Sequence, residues 1–312
     1  MDPPRHGRYR RLVEGYFTPH AIASFEADCR RLASQLVQQL PRRVTVDIMA
    51  ALAHPFTLQA QCAFVGWPLE VARILGGWLA RSQQATLAGD REATTCLARE
   101  FESLVDAQLE ERRAAGSRAP DDPTTRLLRE AIDGRPLSLE ELTSILRNWT
   151  AGELATLAAA IGILVEFLAR RNDLCNQLRR APEQLPLFIE EVLRLHGPLV
   201  CNRRKLLQDA VIRGRRLRAG ERVTLMWSAA NRDETAFEAS REFRLAREQS
   251  ANLLWGAGIH ICPGAALAKM ELSVVLECLL SNLSDWRLCG SAPPSPATYP
   301  AAGFASLPLY IE

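Results

Sequence analysis

Trp255-Gly256-Ala257-Gly258-Ile259-His260-Ile261-Cys262-Pro263-Gly264 is the stretch that decides how the rest of the chain is read. The apolar run from Ala265 to Leu283, spaced as a helix, follows it directly. A cysteine in a glycine-rich loop at a helix start has its sulfur near free backbone N–H groups and the positive end of the helix dipole. Both favour thiolate over thiol. A thiolate is a ligand for iron. The other reading is a structural cysteine behind a glycine-rich turn, so the remainder of the chain has to agree.

Composition sets the outer bounds. With 312 residues, 47% hydrophobic and 24% charged, the chain is long enough for one large domain or two smaller ones. A net charge of +2 points to no nucleic-acid or membrane partner. The cysteines at 29, 62, 96, 175, 201, 262, 278 and 289 form no C-x-x-C pair and no regular spacing. Neither a zinc site nor a disulfide framework is expected, and a reducing cytoplasm fits best. The first residues hold no apolar core, so no signal peptide is expected. The most apolar stretch, Leu154 to Ala169, is too short for a membrane span and includes Glu166.

Apolar residues recur at helical spacing over 18–40, 67–88, 91–115, 138–171, 186–196 and 264–283, with Pro and Gly clusters between. Ser138 and Glu141 make a capping box at the start of the longest run, which continues past thirty residues without proline. Such a helix must cross the whole molecule. The run from Pro186 ends before Gly197-Pro198, a Pro-in and Gly-out pair. Strand patterns are confined to Leu199–Asn202, Ala210–Ile212, Arg222–Met226 and Leu307–Tyr310.

The 255–264 loop resembles the cysteine-ligand loop of the cytochrome P-450 family, the haem-thiolate enzymes. That pattern is an aromatic, Gly, x, Gly, x, His or Arg, x, Cys, x, Gly, and every position is filled, with Trp255 where Phe is usual. The glycines suit a backbone that turns sharply beneath a flat porphyrin at positive φ. The resemblance implies a mainly α, cytochrome P-450-like fold, with a long central helix over the haem and small peripheral β-sheets, N-terminally shortened. It implies that residues 1–312 form a single haem-thiolate domain. Its cofactor would be haem b (iron protoporphyrin IX), ligated by Cys262, with Trp255, Gly256, Gly264 and Ala268 against it and His260 bonded to a propionate.

Three further motifs agree. Glu191 and Arg194 share a helix face three residues apart. By resemblance they lock the core on the proximal side of the haem with a downstream arginine, for which Arg241, in the loosely matching Phe237-Glu-Ala-Ser-Arg-Glu-Phe243, lies in the right segment. His6 and Arg10, four apart on one helix face, are two cationic donors that suit a carboxylate. They resemble the family's propionate-binding helix. Arg204, five residues before Asp209, resembles a further propionate donor. Two buried carboxylates need such partners, because leaving them unpaired is costly.

Two departures stand out. Family members carry a further segment before the His-x-x-x-Arg helix that holds the first helices, most of a small sheet and the pocket roof. This chain begins almost at that helix. The resemblance then implies a distal face open to solvent unless another subunit or a rearranged loop covers it. The second departure lies in the long helix, where the family's Ala-Gly-x-acid-Thr pattern relays protons for heterolytic O–O cleavage. Here the residues are Ala151-Gly152-Glu153-Leu154-Ala155-Thr156. The acid is one place early and the hydroxyl one place late, a rotation of about 100° each unless the helix bulges. Glu153 and Thr156, three apart, either form a substitute relay or are a surface carboxylate and a packing residue.

The pocket implied by resemblance is lined by Arg147, Thr150, Ala151, Ala155, Leu199 and Val200, and suits a compact apolar molecule with an anionic group near Arg147. The leading function is a monooxygenase that hydroxylates or epoxidises a small apolar substrate with dioxygen. A separate ferredoxin or flavoprotein would donate electrons, because the chain holds no flavin or nicotinamide motif. A peroxide-dependent peroxygenase and a non-oxygenating haem-thiolate protein, either an isomerase or dehydratase or a haem-binding module, stay open. The reduced protein under carbon monoxide should show the absorption of thiolate ligation, and Cys262→Ala should lose it. A spectrum typical of histidine ligation would contradict the assignment.

Overall fold

The structure is a computed structural model and describes residues 2–299 and 301–312. Its helices are α1 (His6–Glu14), α2 (Pro19–Gln39), α3 (His54–Val65), α4 (Leu69–Ala88), α5 (Arg91–Ala115), α6 (Pro123–Leu127), α7 (Leu139–Ala169), α8 (Asn172–Arg180), α9 (Leu185–His196), α10 (Trp227–Ala230) and α11 (Ala265–Asn282). Strands are short: β1 (Val44–Asp47), β2 (Ala131–Ile132), β3 (Arg135–Pro136), β4 (Cys201–Lys205), β5 (Ala210–Ile212), β6 (Arg215–Leu217), β7 (Arg222–Met226), β8 (Trp286–Leu288), β9 (Ser295–Pro296), β10 (Phe304–Ser306) and β11 (Pro308–Ile311). The mainly α expectation holds.

Local sequence accounts for most boundaries. Thr18 caps α2 and Asp90 caps α5, each accepting from the amide three residues on. Both bonds of the Ser138–Glu141 capping box are present. The six helical runs expected from periodicity all form, within about two residues at each end. Besides the short α6 and α10, two helices were missed. Helix α3 buries Phe56, Thr57, Ala60, Gln61, Cys62, Phe64 and Val65, so it is covered on nearly all sides and shows no amphipathic period. Helix α8 is a short, strongly charged segment placed directly after a long helix.

Helix α7 is the spine. Its 31 residues run about 47 Å, and α3, α5, α9 and α11 all pack on it. By length and composition it could span a membrane, but most of its apolar window is buried in the protein core. Gly162 permits one close approach, since a Cβ there would stand 2.6 Å from Met49 Sδ. Met49 opens a π-helical turn, Met49–Ala53, that leads into α3. In the main sheet β11 lies between β1 and β8, antiparallel to both, with Val44 opposite Ile311 and Arg287 opposite Tyr310. The expected strand at Leu199–Asn202 starts later, at Cys201, because Leu199 is engaged in an isolated bridge with Ala301.

Behind the cysteine loop, α9 carries a buried charge network. Glu191 and Arg194 are both fully buried, and the guanidinium donates to both carboxylate oxygens, at 2.8 and 3.0 Å. The third member is Arg247, whose Nε donates to Glu191 at 2.8 Å. Arg241 is exposed and is not the partner. The Arg244 amide and Gln249 Nε2 complete the carboxylate shell. Burial pushes the Glu191 carboxyl up, and the hydrogen bonds from Arg194, Arg247, Arg244 and Gln249 outweigh it, holding the group below the usual carboxylate range. The remaining Arg194 donors bond the carbonyls of Asn231, Ser240 and Glu242, and its guanidinium lies over the Phe237 ring. This network fixes the irregular segment 231–249. Replacing Glu191 with Ala would leave two guanidinium groups without their counter-charge and should cost about 3–5 kcal/mol of stability. Urea unfolding measures it, and a loss below about 1 kcal/mol would count against the network.

Candidate active site

The cysteine loop is built by its glycines and by α9. Gly256 and Gly258 have φ of 78° and 65°, left-handed values that a side chain disfavours. The turn closes through Gly256 N to Leu253 O and Cys262 N to Trp255 O, the latter at 2.7 Å. Asn231, anchored through its carbonyl by Arg194, accepts from the Leu253 amide and so ties the loop to the buried network. Trp255 is held at its indole N–H by Glu190 of α9, at 2.9 Å, while Lys269 of α11 pairs with the same carboxylate and lies over the ring. Sequence reasoning had not assigned Glu190 or Lys269. Glu190 stands beside Glu191, and that adjacency was the available signal.

Cys262 is exposed at the end of this loop. Protein packed around the sulfur pushes the thiol up from its ordinary value, and the Glu153 charge acts in the same sense; the Gly264 N–H and Arg10 pull the other way without prevailing. The expected preference for thiolate is therefore not a property of the loop alone. A metal bound at this sulfur would have to displace the proton. Gly264 faces Phe17, and Ala268 lies one turn into α11, half-buried.

Three expected cationic donors converge beside the cysteine. His6 and His260 rings stand edge to face at 4.5 Å. Arg10 donates to the Ile261 carbonyl, one residue before the cysteine, and pairs with Glu14. His260 Nε2 lies 3.3 Å from Asp2. Partial removal from water, then the neighbouring His260 and Arg10, push His6 below the ordinary imidazole range. Arg204 is the fourth expected donor. It stands exposed on β4 and donates to the carbonyl of Arg203.

Helix α7 presents a continuous exposed or half-exposed stripe: Ser144, Arg147, Asn148, Ala151, Gly152, Ala155 and Thr156. These positions follow the i, i+3, i+4 rule for one face. Ser144, Arg147, Asn148 and Ala151 line a cleft of about 390 Å³ whose far wall is Trp78 of α4 and Leu97 of α5. Arg147 makes no ion pair among the described residues. Thr150 does not belong to the cleft: it is fully buried and its hydroxyl accepts from Gln61 Nε2 of α3. Leu199 and Val200 are half-buried at the entrance to β4 and do not line this cleft.

The helix is regular α through 151–156, with no bulge. The shift of acid and hydroxyl is therefore real. Glu153 points away from the stripe, about half a turn from Ser144. It is not a surface carboxylate: its Oε1 is buried without a hydrogen-bond partner, and burial pushes the group up to about 8. Thr156 keeps its hydroxyl on its own helix, donating to the Gly152 and Glu153 carbonyls.

The donor set fits a haem. An exposed cysteine sulfur, three nitrogen donors beside it for carboxylates, and the small residues Ala151, Gly152 and Ala155 on α7 suit a flat iron macrocycle with two acid groups. Comparison with known proteins agrees. The cytochrome P450 family model matches residues 91–309. The methyl-branched lipid omega-hydroxylase of Mycobacterium tuberculosis is 32% identical over 91% of this chain and 68% of its own length. The polyketide biosynthesis cytochrome P450 PksS of Bacillus subtilis is 28% identical over 92% of this chain and 70% of its own. The ligand-free structure of cytochrome P450 TbtJ1 superposes with a TM-score of 0.90 at 26% identity, covering all of this chain and 83% of that one. The chain belongs to the cytochrome P450 family. It is an oxidoreductase of the monooxygenase class, and the family's cofactor is haem held by a cysteine thiolate.

Proposed function

We propose that residues 1–312 act as one haem-thiolate domain in the cytoplasm, oxidising a small, mainly apolar molecule that carries an acidic group. The observation that carries this reading is the juxtaposition of two features. The glycine-built loop presents Cys262 together with His6, Arg10 and His260, and Ser144, Arg147, Asn148 and Ala151 of α7 form one wall of a cleft with Trp78 and Leu97 opposite. A single continuous hydrophobic core supports one domain, and eight free cysteines suit a reducing compartment.

Cys262 would hold the iron, with His6, Arg10 and His260 as partners for the propionates and Trp255, Gly256, Gly264 and Ala268 shaping the proximal side. Haem held by thiolate supplies the electron density that promotes O–O cleavage. Ala151, Gly152 and Ala155 leave room over the ring, and Arg147 orients the acidic end of the substrate. Trp78 and Leu97 exclude water around its chain. Glu153, buried on the other side of α7, would serve as the relay acid, with Thr156 three residues on. Electrons come from a separate ferredoxin or flavoprotein. The relative that hydroxylates a methyl-branched lipid supports an apolar chain as substrate. A peroxide-driven reaction is the second reading, favoured by the unbulged helix that leaves the acid and hydroxyl displaced.

Dioxygen with a surrogate ferredoxin and its reductase should convert substrate while consuming reducing equivalents. Conversion by peroxide alone, or of a redox-neutral substrate alone, would overturn the monooxygenase reading. Arg147 is exposed, so an ion pair there contributes no more than about 1 kcal/mol, or about fivefold in affinity. Arg147→Ala should weaken a long-chain fatty acid by that factor and leave the matching alcohol unchanged, read by titration of the haem spectrum.

A further inference from the structure

Charge is unevenly spread over this chain. Residues 203–222 hold seven arginines and one lysine against two acids, Asp209 and Glu221, a local charge of +6 in a protein whose total is +2. The remainder of the molecule is therefore acidic, and the total conceals a basic pole. All eight cations are exposed, and none makes an ion pair among the described residues. The two acids are turned to backbone instead: Asp209 accepts from the Ala219 amide at 2.9 Å and Glu221 from the Arg218 amide at 3.0 Å. Like charges gathered this densely repel one another, so the patch gains from any anionic surface that covers it.

The β5–β6 hairpin gives the patch its form. Arg213 and Gly214 make its two-residue turn, with φ of 46° and 80°. Val211 stands opposite Arg216 and Ile212 opposite Arg215. Cross-strand partners share a face and successive residues alternate, so each face of the hairpin carries one aliphatic side chain beside one guanidinium. Both faces are open: Val211 is 67% exposed and Ile212 56%, and Leu207, in the connection just before, is 73% exposed. A folded protein or a nucleic-acid duplex would meet one face and leave the other aliphatic in water. A fluid layer of lipid headgroups surrounds both, taking the aliphatics out of water while the guanidinium groups reach phosphate. Residues 203–222 hold no aromatic side chain on which a base could stack.

We propose that the β4–β7 sheet and the β5–β6 hairpin form a docking surface for an anionic lipid bilayer. Val211 and Ile212 enter the headgroup layer, and the arginines around them hold lipid phosphates. The anionic leaflet of a membrane facing the cytoplasm has the matching charge. The protein lies on such a surface and does not span it, because the apolar window of α7 is mostly buried in the core. The expectation of no membrane partner was drawn from the total charge, in which this pole is cancelled by acids elsewhere. Docking of this kind is independent of the reaction in the cleft.

Co-flotation of the haem-loaded full chain with unilamellar vesicles tests this at physiological salt. Vesicles of equal parts phosphatidylglycerol and phosphatidylcholine should carry the protein up, and phosphatidylcholine alone should not. Binding to neither, or equally to both, would overturn the proposal. A cation near an anionic membrane contributes about fivefold, so Arg213→Ser/Arg215→Ser/Arg216→Ser should lose about a hundredfold in partition. Arg42→Ser/Arg73→Ser/Arg91→Ser removes the same charge from other elements and should bind within about tenfold of wild type; a loss equal to that of the hairpin variant would mean that only total charge matters, against the assignment. Val211→Ser/Ile212→Ser keeps every charge and should lose at least tenfold, since lipid entry depends on the aliphatics; binding at wild-type strength would overturn it. These hairpin side chains are exposed, so urea midpoints of the variants should match wild type and exclude misfolding as the cause of a loss. Tighter binding of a DNA duplex, or of a ferredoxin, than of the anionic vesicles at the same salt would overturn the choice of lipid as occupant.

Discussion

Everything on the proximal side hangs from three charges kept out of water. Glu191, Arg194 and Arg247 form a closed set in which the carboxylate and the two guanidinium groups are satisfied by one another and by backbone. Such a set adds little net stability over an apolar core, because desolvation offsets most of the attraction. It adds geometry instead. Five carbonyls of the irregular segment 231–249 point at fixed guanidinium donors, so a stretch without regular hydrogen bonds has one conformation. Asn231 carries that order to the Leu253 amide, and Glu190 carries it to the Trp255 indole. The cysteine loop is rigid because α9 is.

The opposite side of the site follows a different logic. Helix α7 is regular throughout, and its two faces do separate work. The stripe from Ser144 to Thr156 is small, polar or basic, and its first four residues form a wall of the cleft. The other face is buried and carries the Glu153 carboxylate into the interior. A one-residue displacement in sequence becomes a change of face because an α-helix turns about 100° per residue. An acid that would elsewhere look into the cleft is here committed to the interior.

Much of the fold was legible because its signals are local. Capping at Thr18, Asp90 and Ser138 and the apolar period of α2, α4, α5, α7, α9 and α11 depend only on neighbours within a turn or two. Helix α3 was illegible for the opposite reason: surrounded on all sides, it has no solvent face to write a period into its sequence. The cysteine loop was legible since positive φ requires glycine at fixed positions. Arg247 was not, and Arg241 suggested itself instead, because partners along an irregular segment are chosen by where the backbone passes, not by spacing. Thr150 was placed in the pocket by resemblance, and the rotation of α7 puts it against Gln61.

The sequence by itself pointed to the cofactor and to the proposed ligand: a ten-residue loop pattern, a paired Glu and Arg on one helix, and a His and Arg one turn apart encode a haem-thiolate scaffold in short-range terms. Only the tertiary structure decided which arginine closes the charge network and which face of α7 meets the cleft. Those outcomes depend on how helices are rotated and packed against one another. That information is spread over the whole core, and no local stretch of chain contains it.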